Sequence, residues 1–336
     1  MGRCLMITCE RVSEVNEAFR EYLTLFQTPV WLKFIKNTQG ADPVIIALMQ
    51  DGCIAGYFIG CMVKKFGIRI LGSPFPGWTT GYMGFCLSNA ISPEKALFAV
   101  TDYAFHKLGC MHIEIMDKDI NLSQFYAISK KYPLSHRIFG TFEIDLTQSP
   151  DILLGKMNQN RRRNLKAAKK NGITIEEAPM DTSFVRDYHD NLIAVFKKQH
   201  STPTYDEKRV KALIDTLGSF ELLLLLRIYN RDRVCIATGI FPAWNSIAYF
   251  WGGASIPAYN YLRPNESMHW YAMMYWKTHG MRIYNMGGGG EYKKKYGGTT
   301  IETPWVRISR YKPILFLRTY AEKLHKSLLK IPYIAA

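Results

Sequence analysis

Hydrophobic and polar positions along the first half of the chain predict strands and helices in a mixed order. Apolar runs on either side of Asp51-Gly52 predict a β-hairpin, because this dipeptide is typical of tight turns. Apolar residues at helical spacing precede Gly109, which is expected to end that helix. The predicted strands are 44–49, 54–63, 68–71, 112–116 and 136–146, and the predicted helices are 13–26, a short one from Pro29, and 93–108.

The second half repeats this order of elements. A helix, a glycine and a strand follow one another at Gly109 and again at Gly280, and each set comes after a hairpin and a further strand. Turn formers at 145–151 indicate the boundary between the halves, and Ser149 ahead of Pro150 is a candidate N-cap that predicts a helix start there. A duplicated α/β domain is therefore the simplest interpretation. The predicted strands are 173–177, 220–229, 234–241, 247–252, 281–286 and 304–308, and the predicted helices are 156–170, 184–199, 206–218 and 264–279.

The stretch 281–300 combines glycines with positive charge. An apolar strand ends in the glycines 287–290, which precede Glu291-Tyr292-Lys293-Lys294-Lys295. Glycines adopt positive φ and allow consecutive backbone amides to surround an anion. The pattern predicts a site for a phosphate or an oxyanion. The alternative is a β-hairpin with a flexible glycine tip and solvated lysines.

Composition favours polyanionic partners. Lys and Arg number 43 against 28 Asp and Glu, giving a formal net charge of +15, so nucleic acid, acidic lipid or phosphate-rich small molecules are expected. The 7 cysteines are scattered, and neither Cys-x-x-Cys nor His-x-x-x-His occurs, so we predict reduced thiols and no metal site. No apolar run approaches ~18 residues, so a cytoplasmic protein without a signal peptide or membrane span is expected.

The predicted helix 156–170 is strongly basic. It contains seven basic residues and no acid, and Arg162, Lys166 and Lys169 share one face. Such a cluster either binds an anion or forms a solvated basic face.

The order of elements resembles the GNAT acyltransferase fold, and its duplication resembles the Fem family of peptidoglycan bridge-forming aminoacyl transferases and their acyltransferase relatives. Three stretches carry the likeness: FQTPVW at 26–31, NRRRNLKAAKKNG at 160–172, and the Pro, helix, Gly, strand and glycine-rich ending at 264–297. Some positions depart from the family pattern. Asn285 stands where the family often has Asp, Tyr292 and Tyr296 replace phenylalanines, and no room exists for a coiled-coil arm.

The resemblance implies an α/β fold of tandem duplicated GNAT domains with mixed, mostly antiparallel sheets. The expected divisions are an N-terminal GNAT-like domain at 1–147, a C-terminal GNAT-like domain at 148–310, and a basic amphipathic helix at 311–336.

Acyl transfer to an amine needs positive charge where the tetrahedral oxyanion forms. By the resemblance, Lys293 matches the lysine thought to stabilise that oxyanion in the family, and the turn at 287–290 is expected to add backbone donors. The alternative is a solvated lysine. Glu291 and His200 are candidate general bases for the acceptor amine.

The resemblance also indicates where the donor binds. The pyrophosphate of a GNAT donor lies at the N-terminus of the helix after the fourth strand, here near Arg263, Pro264, Asn265 and Ser267. Glu266 adds an opposing charge and the glycine-rich phosphate signature is missing, so a plain helix N-terminus is the alternative. Acyl-CoA is the expected co-substrate, with no permanently bound cofactor, and aminoacyl-tRNA is the alternative donor.

Aromatic and basic residues are candidates for binding the acceptor. Two of them lie in the glycine- and aromatic-rich loop 72–84, which either carries binding residues or closes the end of a sheet. The expected acceptor is a nucleotide- or lipid-linked sugar precursor. The candidate residues are Trp31, Trp78, Tyr82, Arg162, Lys166 and Tyr249.

The segment from Tyr311 predicts a basic amphipathic helix. It either lies on an anionic membrane surface or packs onto the domain with its lysines in solvent. The predicted apolar face is Ile314, Leu317, Ala321, Leu324 and Leu328, and Arg318, Lys323, Lys326 and Lys330 lie elsewhere.

Three functions stay open from the sequence. The first is an N-acyltransferase that uses acyl-CoA to acylate an amine of a cell-envelope polysaccharide or its precursor. The second is a Fem-type transferase that uses aminoacyl-tRNA and a peptidoglycan precursor. The third is a non-catalytic protein that binds nucleic acid or membrane. The sequence leaves the oligomeric state undetermined.

Overall fold

A computed structural model describes residues 7–203, 205–220 and 222–328, so Cys4 and Lys330 lie outside the described residues. The chain divides into two compact units: residues 7–139 with Glu302–Leu328 form unit 1, and Gly140–Ile301 forms unit 2. This division differs from the boundaries expected at 147 and 310. Residues 143–145 pair with a strand of unit 2, and residues 305–309 pair with a strand of unit 1.

The chain contains both strands and helices in a mixed order. The strands are β1 (Thr8–Val12), β2 (Asp42–Gln50), β3 (Cys53–Lys65), β4 (Ile68–Ser73), β5 (Gly84–Leu87), β6 (Cys110–Met116), β7 (Leu134–Asp145), β8 (Thr174–Glu177), β9 (Leu223–Tyr229), β10 (Cys235–Trp244), β11 (Ile247–Tyr249), β12 (Gly252–Ser255), β13 (Ile283–Asn285) and β14 (Thr299–Ser309). The helices are α1 (Glu17–Arg20), α2 (Pro29–Gln39), α3 (Pro93–His106), α4 (Tyr126–Lys131), α5 (Pro150–Lys156), α6 (Gln159–Lys170), α7 (Thr182–Lys198), α8 (Glu207–Leu217), α9 (Pro264–Thr278), α10 (Glu291–Lys294) and α11 (Lys312–Leu328).

The sheet of unit 1 has the strand order β1-β2-β3-β4-β6-β14. β4 and β6 run parallel, whereas the other neighbours in this order run antiparallel. The long strand β3 pairs with β4 at one end and with β5 at the other. Helix α3 contributes Val100, Ala104 and Phe105 to the buried core.

Unit 2 repeats this topology. Its strand order is β7-β13-β11-β10-β9-β8, with β12 paired to β10. β11 and β13 run parallel, and β10 pairs with both β11 and β12. In each unit a strand is thus broken into two pieces, a helix follows, and the next strand lies parallel to the first piece. The predicted duplication and the mixed, mostly antiparallel sheets are confirmed.

Helix starts follow local sequence signals. The hydroxyl groups of Thr28 and Ser149 accept hydrogen bonds from backbone amides at the starts of α2 and α5, and Pro29 and Pro150 occupy the first helical positions. Ser92 and Pro93 begin α3 in the same way. The helix starts predicted at Pro29 and Pro150 are therefore confirmed.

Two predicted elements differ from the structure. The single helix expected at 13–26 is shortened to α1 and a 3-10 turn at Leu25–Gln27, because the Gln27 side chain donates to the carbonyls of Met83 and Phe85, both at 3.1 Å. The single strand expected at 247–252 is divided into two. Its first part, β11, pairs with β13, and the chain then continues as β12, which pairs with β10. Long-range contacts determine both changes.

Two further expectations from the sequence concern the cysteine thiols and membrane-spanning helices. Cys61, Cys86 and Cys110 are buried free thiols, whereas Cys53 is an exposed one. No helix within the described ranges has the length and apolar character needed to cross a bilayer.

We expect Gly84→Ala to destabilise unit 1 strongly. Gly84 has φ +77°, and a Cβ there would overlap the Asp117 carboxylate. Gly67→Ala is the matched control, since Gly67 has φ +79° but open space around its Cβ position. The control is expected to cost about 1 kcal/mol for backbone strain, and Gly84→Ala about 3 kcal/mol more for overpacking. Denaturant unfolding measures both, and equal losses would contradict the role of Asp117.

Candidate functional site

Lys293 is buried in unit 2. It lies on the single helical turn α10, and its side chain is 7% exposed. Its ammonium group donates to the carbonyl oxygen of Met286 at 2.8 Å, to that of Gly287, and to that of Gly288 at 3.4 Å. The alternative of a solvated lysine is therefore wrong.

The turn after β13 surrounds a cation. Gly287 and Gly288 have φ of +58° and +54°, the left-handed conformation that glycine adopts readily. This conformation directs backbone carbonyls at Lys293, while the Gly287 amide donates to Asn285 Oδ1 at 2.9 Å. The predicted cradle of amides for an anion is thus corrected to a cradle of carbonyls for an ammonium group. The hairpin alternative is also wrong, because α10 follows the glycines.

Burial lowers the proton affinity of Lys293 and of His269, which lies on α9. Burial lowers the pKa of Lys293 to about 8. Burial, together with the charges of Lys293 and Arg161, lowers the pKa of His269 to about 3. His269 is therefore neutral at physiological pH, and its Nδ1 lies 2.8 Å from Tyr284 Oη.

Aromatic rings lie next to Lys293 and His269. The Lys293 ammonium is 5.4 Å from the centre of the Phe250 ring, and the Phe250 and His269 rings are 4.6 Å apart. The ring of buried Tyr296 is 5.0 Å from that of His269. The low polarity of these neighbours explains why Lys293 loses its proton more readily than a solvated lysine.

Asn285 fixes the end of β13 to the neighbouring strand. Its Oδ1 accepts from Thr141 Oγ1 at 3.0 Å, and its Nδ2 donates to Glu143 Oε1 at 2.9 Å. An aspartate would lack the donor for Glu143. The departure from the family pattern noted at Asn285 is therefore compatible with its neighbours.

A cationic cavity of about 320 Å³ lies between α6 and the start of α9. Glu266 is its acidic member, and the Arg161 guanidinium pairs with it. Asn164 Nδ2 donates to the same carboxylate oxygen at 2.9 Å. The cavity is lined by Asn160, Arg161, Arg163, Asn164, Arg263, Glu266 and Lys295. After the Arg161–Glu266 pair is subtracted, uncompensated positive charge remains, which suits an anionic ligand.

The residues predicted to bind the donor are only partly at this cavity. Arg263 lines it, with φ +65° immediately before α9. Asn265 Nδ2 instead donates to Ser255 Oγ at 2.9 Å. Pro264 and Ser267 are buried in the first turn of α9. Donor binding by these residues stays a prediction.

Other predicted residues are dispersed. Arg162 donates to the Gly155 carbonyl at 2.9 Å, and neither it nor exposed Lys166 lines the cavity. Glu291 and His200 have exposed side chains. No hydrogen bond or ion pair between described residues joins either of them to Lys293, so the general base stays a prediction.

The predicted aromatic residues are mostly in cores. Trp31 is 0% exposed, and its Nε1 donates to Thr80 Oγ1 at 3.1 Å, which corrects its placement on a substrate surface. Tyr82 and Tyr249 are each 3% exposed and buried in unit 1 and unit 2. Trp78 is half-buried and its ring is 4.8 Å from that of Phe75. The packing interpretation of the loop 72–84 therefore fits Tyr82.

Sequence reasoning missed several members of the site. Arg161 and Asn164 lie on the basic helix, but helical periodicity alone favoured a different face. His269 lies among apolar residues of α9. Its position near Lys293 follows from the Phe250 ring, which contacts both residues and which the sequence pattern does not place there. No cluster of His, Cys, Asp and Glu able to hold a metal occurs among the described residues.

Sequence comparison identifies one domain. A family model described as an acetyltransferase (GNAT) domain matches residues 155–296, which lie within unit 2. A comparison with curated protein sequences found no match.

Solved structures share the fold across both units. The crystal structure of FemX has a TM-score of 0.72 at 16% identity and covers 92% of this chain and 99% of its own. A tandem GNAT protein from the clavulanic acid biosynthesis pathway has a TM-score of 0.56 at 7% identity, covering 90% and 98%. L-PGS from Bacillus licheniformis has a TM-score of 0.52 at 11% identity, covering 90% and 97%. With the topology of both units, these findings show a tandem GNAT fold.

We expect Arg161→Ala to destabilise unit 2 by about 3 kcal/mol, because it leaves the Glu266 carboxylate buried without its cation. In the double variant Arg161→Ala, Glu266→Gln, most of this loss is expected to be recovered, since no buried charge remains. Denaturant unfolding of the four members of the cycle measures the coupling. Additive losses would contradict the pairing.

Proposed function

We propose that the protein transfers an acyl group from acyl-CoA to an amine of a cell-envelope polysaccharide or of its nucleotide- or lipid-linked precursor. The proposal depends on one observation: unit 2, which has the acyltransferase fold, combines a cationic cavity at the start of α9 with a buried lysine after β13. The first feature suits the phosphates of a donor, and the second suits the charge of a transition state.

The cavity supplies charge for donor phosphates. Arg163 and Lys295 are exposed at its wall, and Arg263 stands immediately before the first turn of α9. The positive end of the helix dipole adds to their field. Glu266 does not cancel this charge, because Arg161 already neutralises it.

Lys293 is suited to stabilise a developing oxyanion. An ammonium group has three N–H donors, and here they are directed at three backbone carbonyls. The hydrogen bond to the Gly288 carbonyl, at 3.4 Å, is weaker than the bond to the Met286 carbonyl at 2.8 Å. Exchanging it for a substrate oxygen would place one N–H on the tetrahedral intermediate at small cost.

The reaction itself requires a neutral amine. The amine nitrogen attacks the thioester carbonyl, the C–N bond forms, and the tetrahedral intermediate collapses with cleavage of the C–S bond. A proton from the amine passes to a base, and the thiolate of CoA leaves and is protonated. Glu291 and His200 stay the candidate bases on sequence grounds.

A second candidate donor is aminoacyl-tRNA. Helix α6 exposes Arg163, Lys166, Lys169 and Lys170, and an extended basic face of this kind suits a polyanion longer than one coenzyme. The acceptor in this case is a peptidoglycan precursor.

Two matched variants of α6 are expected to distinguish the donors. Arg163 lines the cavity, whereas Lys169 is an exposed cation on the same helix that does not. With acyl-CoA as donor, Arg163→Ala raises the donor KM about tenfold and Lys169→Ala leaves it unchanged. With aminoacyl-tRNA, both variants weaken binding. Each also reduces the slope of log binding constant against log salt concentration by about 1. Purified protein that transfers from neither donor contradicts both candidate reactions.

We expect turnover to fall as pH rises through about 8, because oxyanion stabilisation requires protonated Lys293, whose pKa is lowered to about 8. Lys293→Ala is expected to reduce kcat about 10²-fold or more and to remove this alkaline limb. Lys294→Ala is the control, since Lys294 is exposed on the same turn. Steady-state pH–rate profiles of the three proteins measure the effect. A retained alkaline limb in Lys293→Ala would assign it to another group.

A further inference from the structure

Helix α11 packs onto unit 1 through its charged residues. Arg318 Nε donates to Glu114 Oε1 at 2.6 Å, and the Glu114 side chain is 0% exposed. Glu322 accepts from Arg137 at 2.7 Å and from Arg307 at 3.0 Å. These ion pairs hold the helix in one rotation about its axis, because turning it would leave buried charges without partners.

The opposite face of α11 is apolar and exposed. Phe316 is 71% exposed, Leu317 58%, Tyr320 60% and Leu324 50%. Positions i, i+1, i+4 and i+8 share one side of a helix, so these side chains form a continuous stripe, which we call the outer stripe. A surface helix normally buries its apolar side chains against the domain and exposes its charged side chains to solvent. A contiguous exposed apolar surface of this kind is typical of interaction sites.

The charges beside the outer stripe are positive. Between Tyr311 and Leu324 the acidic residue is Glu322, which is turned inward and paired with two arginines. Lys312 and Lys323 are exposed. The chain as a whole has a net charge of +15. An apolar stripe with lysines beside it complements an anionic bilayer, whose headgroups attract the lysines and whose acyl boundary accepts the aromatic rings.

A second exposed feature of unit 1 lies at the same end of its sheet. Phe66, at the tip of the β3–β4 hairpin, is 101% exposed, and Lys64 and Lys65 precede it. In parallel register Arg69 of β4 lies opposite Cys110, the first residue of β6.

The register of β14 places the start of α11 at that end as well. Ser309, the last residue of β14, lies antiparallel opposite His112 of β6. The hairpin tip and the first turn of α11 thus leave the sheet from the same end, two strand spacings or about 10 Å apart.

We propose that unit 1 docks on an anionic lipid bilayer through the outer stripe of α11, with Phe66 of the hairpin as a neighbouring contact. The helix lies along the headgroup region and does not cross the membrane. A protein partner is less suited to this surface, because lysine is depleted at the centres of protein interfaces whereas mixed aromatic and lysine faces are typical of interfacial helices. Docking would bring the enzyme to a lipid-linked acceptor, a consequence that rests on the proposed function; the docking itself does not.

The test uses vesicles of phosphatidylcholine alone and of phosphatidylcholine mixed with phosphatidylglycerol. The full chain is expected to sediment with the mixed vesicles and to be released by high salt, which screens the lysines. The triple variant Phe316→Ser, Leu317→Ser, Tyr320→Ser is expected to lower partitioning at least about tenfold, since apolar burial in the bilayer is lost. It retains Arg318 and Glu322, so the packing of α11 onto unit 1 is kept, which circular dichroism and thermal melting verify.

Phe220→Ser is the matched control, because Phe220 is 52% exposed but lies in unit 2. It is expected to leave partitioning unchanged, and Phe66→Ser is expected to lower it. Equal sedimentation with neutral and mixed vesicles, or unchanged binding of the triple variant, overturns the proposal. The proposal is also overturned if the wild type binds no vesicles and forms a dimer in analytical ultracentrifugation that the triple variant does not form. The stripe would then join two copies of the chain. If Phe66→Ser leaves vesicle partitioning unchanged, the contact assigned to the hairpin is overturned. Partitioning is measured without substrates, so its failure is distinct from failure of the proposed reaction.

Discussion

The ammonium group of Lys293 is bound by the backbone carbonyls of the turn after β13, and the arrangement of the candidate site depends on that contact. The turn needs two glycines at positive φ to direct the carbonyls inward. The same burial lowers the pKa of Lys293 to about 8 and, with the positive charges nearby, keeps His269 neutral. A charge held by dipoles in an apolar surrounding is already oriented before a substrate arrives, which is the condition for electrostatic stabilisation of a transition state.

The two units share one topology but place opposite charges at the corresponding point. In unit 1, Asp117 directly follows the parallel strand β6 and accepts from the amides of Phe85 at 2.6 Å and Asp119 at 2.8 Å. In unit 2, the turn after the parallel strand β13 binds Lys293 through carbonyls. Burial raises the pKa of Asp117 to about 7. The two units therefore share the strand arrangement, but backbone amides bind the Asp117 carboxyl group in unit 1, whereas backbone carbonyls bind Lys293 of α10 in unit 2.

Ion pairs between distant parts of the chain fix the surfaces that we assign to ligands. Arg161 and Glu266 are 105 positions apart and neutralise each other, which leaves the remaining arginines of the cavity available to an anion. Arg318 and Glu114 are 204 positions apart and set the rotation of α11, which leaves its apolar side outward. In both cases a buried pair determines which neighbouring groups stay uncompensated, and these groups define the ligand that fits.

The sequence alone determined the duplicated α/β order and the helix starts at Pro29 and Pro150, and it indicated Lys293 as a candidate site residue, because these follow from local periodicity, capping residues and a short motif. It did not determine that the glycine turn offers carbonyls instead of amides, since that depends on which side of the turn faces the core. Nor did it identify Arg161 as the partner of Glu266, or predict that α11 packs through its charged face. These features come from contacts between residues far apart in the chain, whose side chains only the tertiary structure brings together.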